Sequence, residues 1–260
     1  CGYWHGVFGG LYLTNLRNAL YGHLIAADAA ADAMLHGADA DYVHFQAVDF
    51  ECEGERDLLV ETPAQVLHLR PHAGGMLVEH DLRAWNFNVL DTLMRRRESY
   101  HERLLQSAGK DAGDQRVKEG NLNAHLAVDW YRRGALIDHF IDEVATPEDF
   151  RAAIYPELGD FVTGAYEADW KATAGGGTIA LRRVGQVETP EGPVVVRVEK
   201  TITFRSGAPG MAIAYVVENM GERRLGGRFG VEFNVNLLAG DAPDRTHEID
   251  GVKSLGSDRM

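Results

Sequence analysis

The stretch that most limits what this chain can fold into is 228–238. Phe229, Val231, Phe233, Val235 and Leu237 alternate there with Arg228, Glu232, Asn234 and Asn236. A two-residue period sends successive side chains to opposite faces, so the segment predicts a strand with one face in a core and the other in water. Runs of the same kind precede it at 161–171, 178–187, 194–204 and 211–218. Turn-forming sequences separate them: Gly175-Gly176-Gly177, Thr189-Pro190-Glu191-Gly192-Pro193 and the glycine-rich 221–227. Long strands joined by hairpin turns, without helical crossovers, predict an antiparallel β-sandwich.

The first part of the chain has a different period. Leu13, Leu16, Leu20, Leu24, Ala27, Ala31 and Met34 fall in steps of three and four, one face of a helix that Gly37 is placed to end. Short β-type runs follow at 42–50, 58–61, 65–69 and 75–80, with Gly74-Gly75 predicting a tight hairpin before the last. Residues 121–142 predict a helical or irregular stretch around Val128, Trp130 and Tyr131. Thr146-Pro147-Glu148-Asp149 joins a hydroxyl cap, a first-turn proline and two acids, a helix start. The expected fold is mainly β with an N-terminal helical segment. Its division is a helical segment at 1–37 and a β-sandwich at 38–260, with helices inserted near 121–155 and the sandwich incomplete at its C-terminal end.

With 26 basic and 39 acidic residues the formal charge is −13, which disfavours a phosphate-backbone partner. The densest basic cluster, Arg95-Arg96-Arg97, has Asp91 and Glu98 beside it and reads as a solvated face. No apolar run reaches the ~20 residues a membrane helix needs. Two cysteines, Cys1 and Cys52, make no disulfide framework and fit a reducing, cytoplasmic compartment. The aromatic start, with Tyr3, Trp4 and Phe8 and no leading tail, reads as part of a longer protein.

No nucleophile elbow, phosphate loop or dinucleotide fingerprint is present. His68 and His72 are split by Pro71, which removes the helical spacing of a zinc pair. The acidic run from Asp49 to Asp57 has oxygen donors on alternate residues, as calcium loops do, but Cys52 and several glutamates fit a solvated turn better. Asp129, Asp138, Asp142 and Glu232 qualify by type as glycosidase carboxylates, yet nothing in their surroundings pairs them, and they read as surface or capping acids. Tyr3-Trp4-His5-Gly6 sets two flat rings beside an imidazole, which suits either sugar stacking or a core anchor.

The run from Cys1 through Leu13, with Asn15-Leu16-Arg17, resembles the segment after the catalytic barrel in family-57 glycoside hydrolases of the 4-α-glucanotransferase and α-amylase branch. So do Asp81-Leu82-Arg83, the stretch from Phe87 to Leu93 with Arg95-Arg96, Asp129-Trp130-Tyr131-Arg132-Arg133 with Ile137-Asp138-His139-Phe140, and Glu232-Phe233-Asn234 with the stretch from Leu238 to Pro243. The resemblance implies a post-barrel helical segment followed by a sandwich of the galactose-mutarotase-like kind. It implies a retaining α-1,4-glucan enzyme that needs no cofactor and no metal. The nucleophile Glu and acid Asp of that family lie on its barrel, and no position here matches them. The expected partners are an α-glucan or maltooligosaccharide and an N-terminal catalytic barrel of the same polypeptide, with no nucleic acid and no membrane. Trp4 is implied as a sugar-stacking residue at the cleft edge, with Tyr3 beside it and His5 as a hydrogen-bond partner. The other reading is a non-catalytic carbohydrate-binding or structural β-sandwich module.

Overall fold

The computed structural model describes residues 10–37, 40–99, 101–102, 126–238, 246–249 and 252–255. Tyr3, Trp4, His5 and the polar loop at 107–114 lie outside the described residues.

A 3-10 turn at Gly10–Tyr12 leads into α1, Thr14–His36, which ends where the Gly37 amide donates to the Ala33 carbonyl. The helix period read from Leu13 onward is therefore present. The apolar stripe expected from Leu13 to Met34 is not the buried face: none of its members is buried, Leu24 and Met34 are exposed with neighbouring Leu35, and the helix buries Arg17 and Ile25 instead. Polar contacts hold α1 to the rest of the fold: Tyr21 donates to Glu79, Asp32 accepts from Tyr42 and Arg83, and buried Arg17 pairs with Asp91 at 3.1 Å.

Two antiparallel sheets follow. The first holds β1 (His44–Val48), β2 (Asp57–Glu61), β3 (Gln65–Arg70), β4 (Met76–Leu82), β6 (Ala135–Ile141) and β11 (Arg228–Phe233) in that order, and β5 (Phe87–Asn88) pairs with β4. The second holds β10 (Met211–Asn219), β9 (Val194–Arg205), β8 (Gly176–Val187) and β7 (Glu167–Thr173). A separate hairpin joins β12 (Thr246–Ile249) to β13 (Val252–Leu255). The expected antiparallel sandwich is the architecture found. Gly74 and Gly75, at φ 73° and 55°, make the β3–β4 turn, and Gly175, at φ 70°, makes the β7–β8 turn.

Alternation explains the core between the sheets. On β9, Val194, Val196, Val198, Ile202 and Phe204 point inward against Leu67, Leu69 and Leu77 of the first sheet. Lys200 occupies the remaining inward position and is wholly buried. Its ammonium donates to the Gly74 carbonyl (3.0 Å), the Leu136 carbonyl (2.7 Å) and Asp138 (3.0 Å), which uses all three of its protons. The Tyr166 ring lies over it at 4.5 Å, and the Tyr166 hydroxyl donates to the same Asp138 oxygen. Leu136 sits at φ 61° as the unpaired residue of a bulge: Ile137 pairs with Glu232 and Ala135 with Phe233. That kink presents its carbonyl to Lys200.

Three expectations change. Residues 135–141 form a buried central strand, and the irregular reading holds only for 126–134. The strand expected over 161–171 begins at Glu167. The alternation at 228–238 breaks at the β6 bulge. Phe229 packs on the core, but Phe233, Val235 and Leu237 are 52%, 45% and 61% exposed, while Glu232 and Asn236 are buried. The strand ends at Phe233, and the outer face carrying Glu232 is covered by other segments, so the polar side faces protein instead of water. The short α2, Pro147–Ala152, starts as expected, with a reciprocal cap between Thr146 and Asp149.

Candidate functional site

The outer face of β6 and β11 carries Ile137, His139 and Glu232. Two segments lie across it. Residues 126–134 bring Asp129, Tyr131 and Arg133, and the segment around α2 brings Phe150, Tyr155 and Glu157. Gly134 permits the close approach of the first: a Cβ there would fall 2.6 Å from the Leu77 carbonyl oxygen of β4. Its own carbonyl accepts both the Asn234 amide (3.0 Å) and the Asn234 side chain (2.9 Å).

The polar groups brought together form one network. Asp129 accepts from the Arg95 side chain and amide and from Arg133 Nη2 at 2.8 Å. Arg133 Nη1 also donates to Glu232 at 2.5 Å. Glu232 takes a second bond from the Tyr131 hydroxyl at 2.7 Å and a third from His139 Nε2 at 3.0 Å. The other ring nitrogen of His139 faces Glu157 at 2.7 Å.

Burial alone would raise the Asp129 and Glu232 carboxyls. Instead the Arg95 and Arg133 bonds hold Asp129 below its ordinary value, and His139, Tyr131 and Arg133 do the same for Glu232. Burial alone would lower His139, but its bonds to Glu157 and Glu232 outweigh this and raise it. With a carboxylate at each ring nitrogen, His139 donates twice as the imidazolium. Burial first, with the neighbouring carboxylates, lifts the Tyr155 hydroxyl to about 12. The three cations Arg95, Arg133 and His139 then balance the three carboxylates Asp129, Glu232 and Glu157.

Beside this network opens a cavity of about 760 Å³. Arg133, Asp129, Glu232 and Asn234 form its polar side; Phe150, Phe233 and Leu93 also border it. A carboxyl acting as a glycosidic acid needs a raised pKa. Both acids here are lowered and held by arginine, which does not suit either to the role of a glycosidic acid.

Sequence reasoning placed Asp129, Asp138 and Glu232 at the surface; all three are buried and ion-paired, and Asp142 alone behaves as a capping acid. Arg95 belongs to the network and not to a solvated basic face. Sequence reasoning singled out none of Arg133, His139, Tyr155 and Glu157 as functional. One signal was available. The resembling segments around Arg95, Asp129–Arg133 and Glu232–Asn234 come from separate parts of the chain and meet at this cavity, and Ile137–Phe140 joins them through the bond from His139 to Glu232. Elsewhere, the acidic run is engaged by basic side chains: Glu51 pairs with Arg70 and Arg132, Glu53 with His72 and Arg70, and Asp57 with His68 at 2.8 Å. Asp49 caps the turn through the amides of Glu53 and Gly54. Glu51, Glu53 and Asp57 all reach the Arg70 guanidinium, so these carboxylates gather around a cation that the chain itself supplies. Among the described residues no helix is long and apolar enough to cross a membrane.

Residues 49–259 match the family described as alpha-amylase/4-alpha-glucanotransferase, C-terminal, and residues 1–31 match the middle domain of the same proteins. An alpha-amylase of Pyrococcus abyssi is 33% identical over 244 residues, with 90% of this chain and 33% of that protein covered. A 4-alpha-glucanotransferase of Thermococcus litoralis is 32% identical, over 90% of this chain and 34% of that protein. The crystal structure of 4-alpha-glucanotransferase from T. litoralis superposes with a TM-score of 0.73 at 31% identity, covering 95% of this chain and 34% of that one. The chain thus spans about a third of the length of the curated relatives it matches.

Proposed function

Because the chain belongs to the alpha-amylase/4-alpha-glucanotransferase C-terminal family, we propose that it is the non-catalytic carboxy-terminal part of a retaining α-1,4-glucan enzyme. The observation that carries the non-catalytic reading is the state of Asp129 and Glu232. They are the carboxylates that share Arg133, and both are pinned in the ionised form. A retaining enzyme needs one carboxyl protonated while the other attacks. Cleavage and transfer therefore belong to a barrel carried by the same polypeptide. The exposed Leu24, Met34 and Leu35 of α1 offer that barrel an apolar surface, which supports 1–37 as the docking segment and 38–260 as the sandwich. The partners are an α-glucan and the barrel; a nucleic acid and a membrane are not among them.

The test uses the complete protein containing this chain. Given maltoheptaose with glucose as acceptor, it should produce a ladder of α-1,4-oligosaccharides or shorter hydrolysis products; an unchanged sugar would contradict the reading. The same protein tests Trp4 as a stacking residue beside Tyr3 and His5. Trp4→Ala should raise KM severalfold, from about 1 kcal/mol of lost stacking, with the melting temperature held. A large fall in melting temperature with KM unchanged would make Trp4 a core anchor.

A further inference from the structure

We propose that the cavity beside Arg133 and Glu232 is a binding site for a neutral saccharide. The choice of glucan as its ligand rests on the function proposed above. The volume of about 760 Å³ suits a small polar ligand or part of an oligomer. The charge on its walls selects the ligand class. Arg95, Arg133 and Arg151 border it together with Asp129, Glu232 and Glu148, three cations against three carboxylates. A phosphate on Arg95 or Arg133 would have to displace Asp129 or Glu232 from them. A metal ion on Asp129 or Glu232 would have to pull those carboxylates off Arg95 and Arg133. The formal charges on the walls cancel.

What the walls leave for a ligand is a mixed demand, donors and acceptors together. The Arg151 guanidinium and the Glu148 carboxylate bond to no other described residue, so one donor and one acceptor stand at the border. Asn234 Oδ1 receives only a long 3.4 Å contact from Arg133, which leaves acceptor capacity. Phe150, stacked on Tyr155 at 4.7 Å, and the half-exposed Phe233 add aromatic surface. A pyranose has hydroxyls that both give and accept and C–H faces that lie on rings. The backbone adds a positional argument. Glu232, Phe233 and Asn234, three consecutive residues, all border the cavity where the β6 bulge slips the register. Bulges of this kind redirect side chains beside binding sites. The acids beneath are locked by Arg133 and Arg95, so a sugar seated here is held and not cleaved.

Calorimetric titration of the 260-residue chain with maltoheptaose, and separately with inorganic phosphate, tests this. Saturable one-to-one binding of maltoheptaose is expected, with equimolar phosphate unable to displace it. Phe233→Ala and Arg151→Ala should each weaken binding at least about fivefold, the factor that a contact of about 1 kcal/mol makes. Both side chains are exposed, so their melting temperatures should stay at the parent value. No binding, binding that both variants leave intact, or displacement by phosphate would overturn the proposal. The two readings fail separately. A complete protein that rearranges maltoheptaose while the chain does not bind it overturns the cavity alone. A chain that binds it through Phe233 and Arg151 within an inert complete protein supports the cavity and overturns the enzymatic reading.

Discussion

Replacing Lys200 with Met should destabilise the chain by about 3–5 kcal/mol, the usual cost of removing one partner from a buried ion pair. Burial pushes the Lys200 ammonium down from its ordinary value, and Asp138 opposes the shift. Three fixed oxygens offset the desolvation: two carbonyls, held by the β3–β4 glycine turn and the Leu136 bulge, and the Asp138 carboxylate. Removing the ammonium strands Asp138 between the sheets, where its second oxygen already lacks a partner. The double variant Lys200→Met with Asp138→Leu leaves no stranded charge and should recover most of the loss. Denaturant melts of the two variants decide. A cost for Lys200→Met below about 1 kcal/mol, or a double variant no better than the single, would show that the pair does not bear on stability as described.

Asp81→Asn should stabilise the chain, and more so as the pH rises. Burial first, then neighbouring Glu79 and Asp28, push the Asp81 carboxyl up to about 9, with Arg83 opposing. An acid raised in the folded state contributes fully below its unfolded value near 4 and loses that contribution as pH rises toward the folded value. Stability then falls by up to about 1.4 kcal/mol per pH unit over that window. Asn keeps a donor for Glu79 and removes the ionisation. The gain in melting temperature should be near zero at pH 4 and several degrees at pH 8. The same junction holds α1 to the sheet through Tyr21–Glu79 and Arg83–Asp32, so the Asn variant should also keep the helix docked at alkaline pH. Equal melting curves at both pH values would contradict the assignment of a buried neutral carboxyl. His80, lowered to about 4 by burial, works in the opposite sense. Its contribution is present above about 6.5 and lost as pH falls through 4, which sets the acid limb of the same curve.

The strands with one wet face were legible because their period is local. The β8–β9 hairpin and the β3–β4 turn follow from alternation and glycine placement alone. The strand at 135–141 was not, because both of its faces are covered: Asp138 turns toward Lys200 and His139 toward Glu232, so polar residues appear on each parity and the period is lost. Lys200 carried a readable anomaly, a lone cation in an inward series of valines, isoleucine and phenylalanine. Nothing local announced its partner 62 positions away. The cavity network failed to show for the same reason. Glu232 is an ordinary outward acid until Tyr131 and His139, 101 and 93 residues distant, fold against it.

The most direct test of the account is product analysis of the purified 260-residue chain incubated with maltoheptaose. If Asp129 and Glu232 are held as arginine-paired carboxylates and no acid–nucleophile pair exists in this part of the enzyme, the chromatogram should show maltoheptaose alone after prolonged incubation, at every pH from 5 to 9. The appearance of shorter or longer oligosaccharides above a buffer blank would contradict it and place catalytic chemistry within these residues.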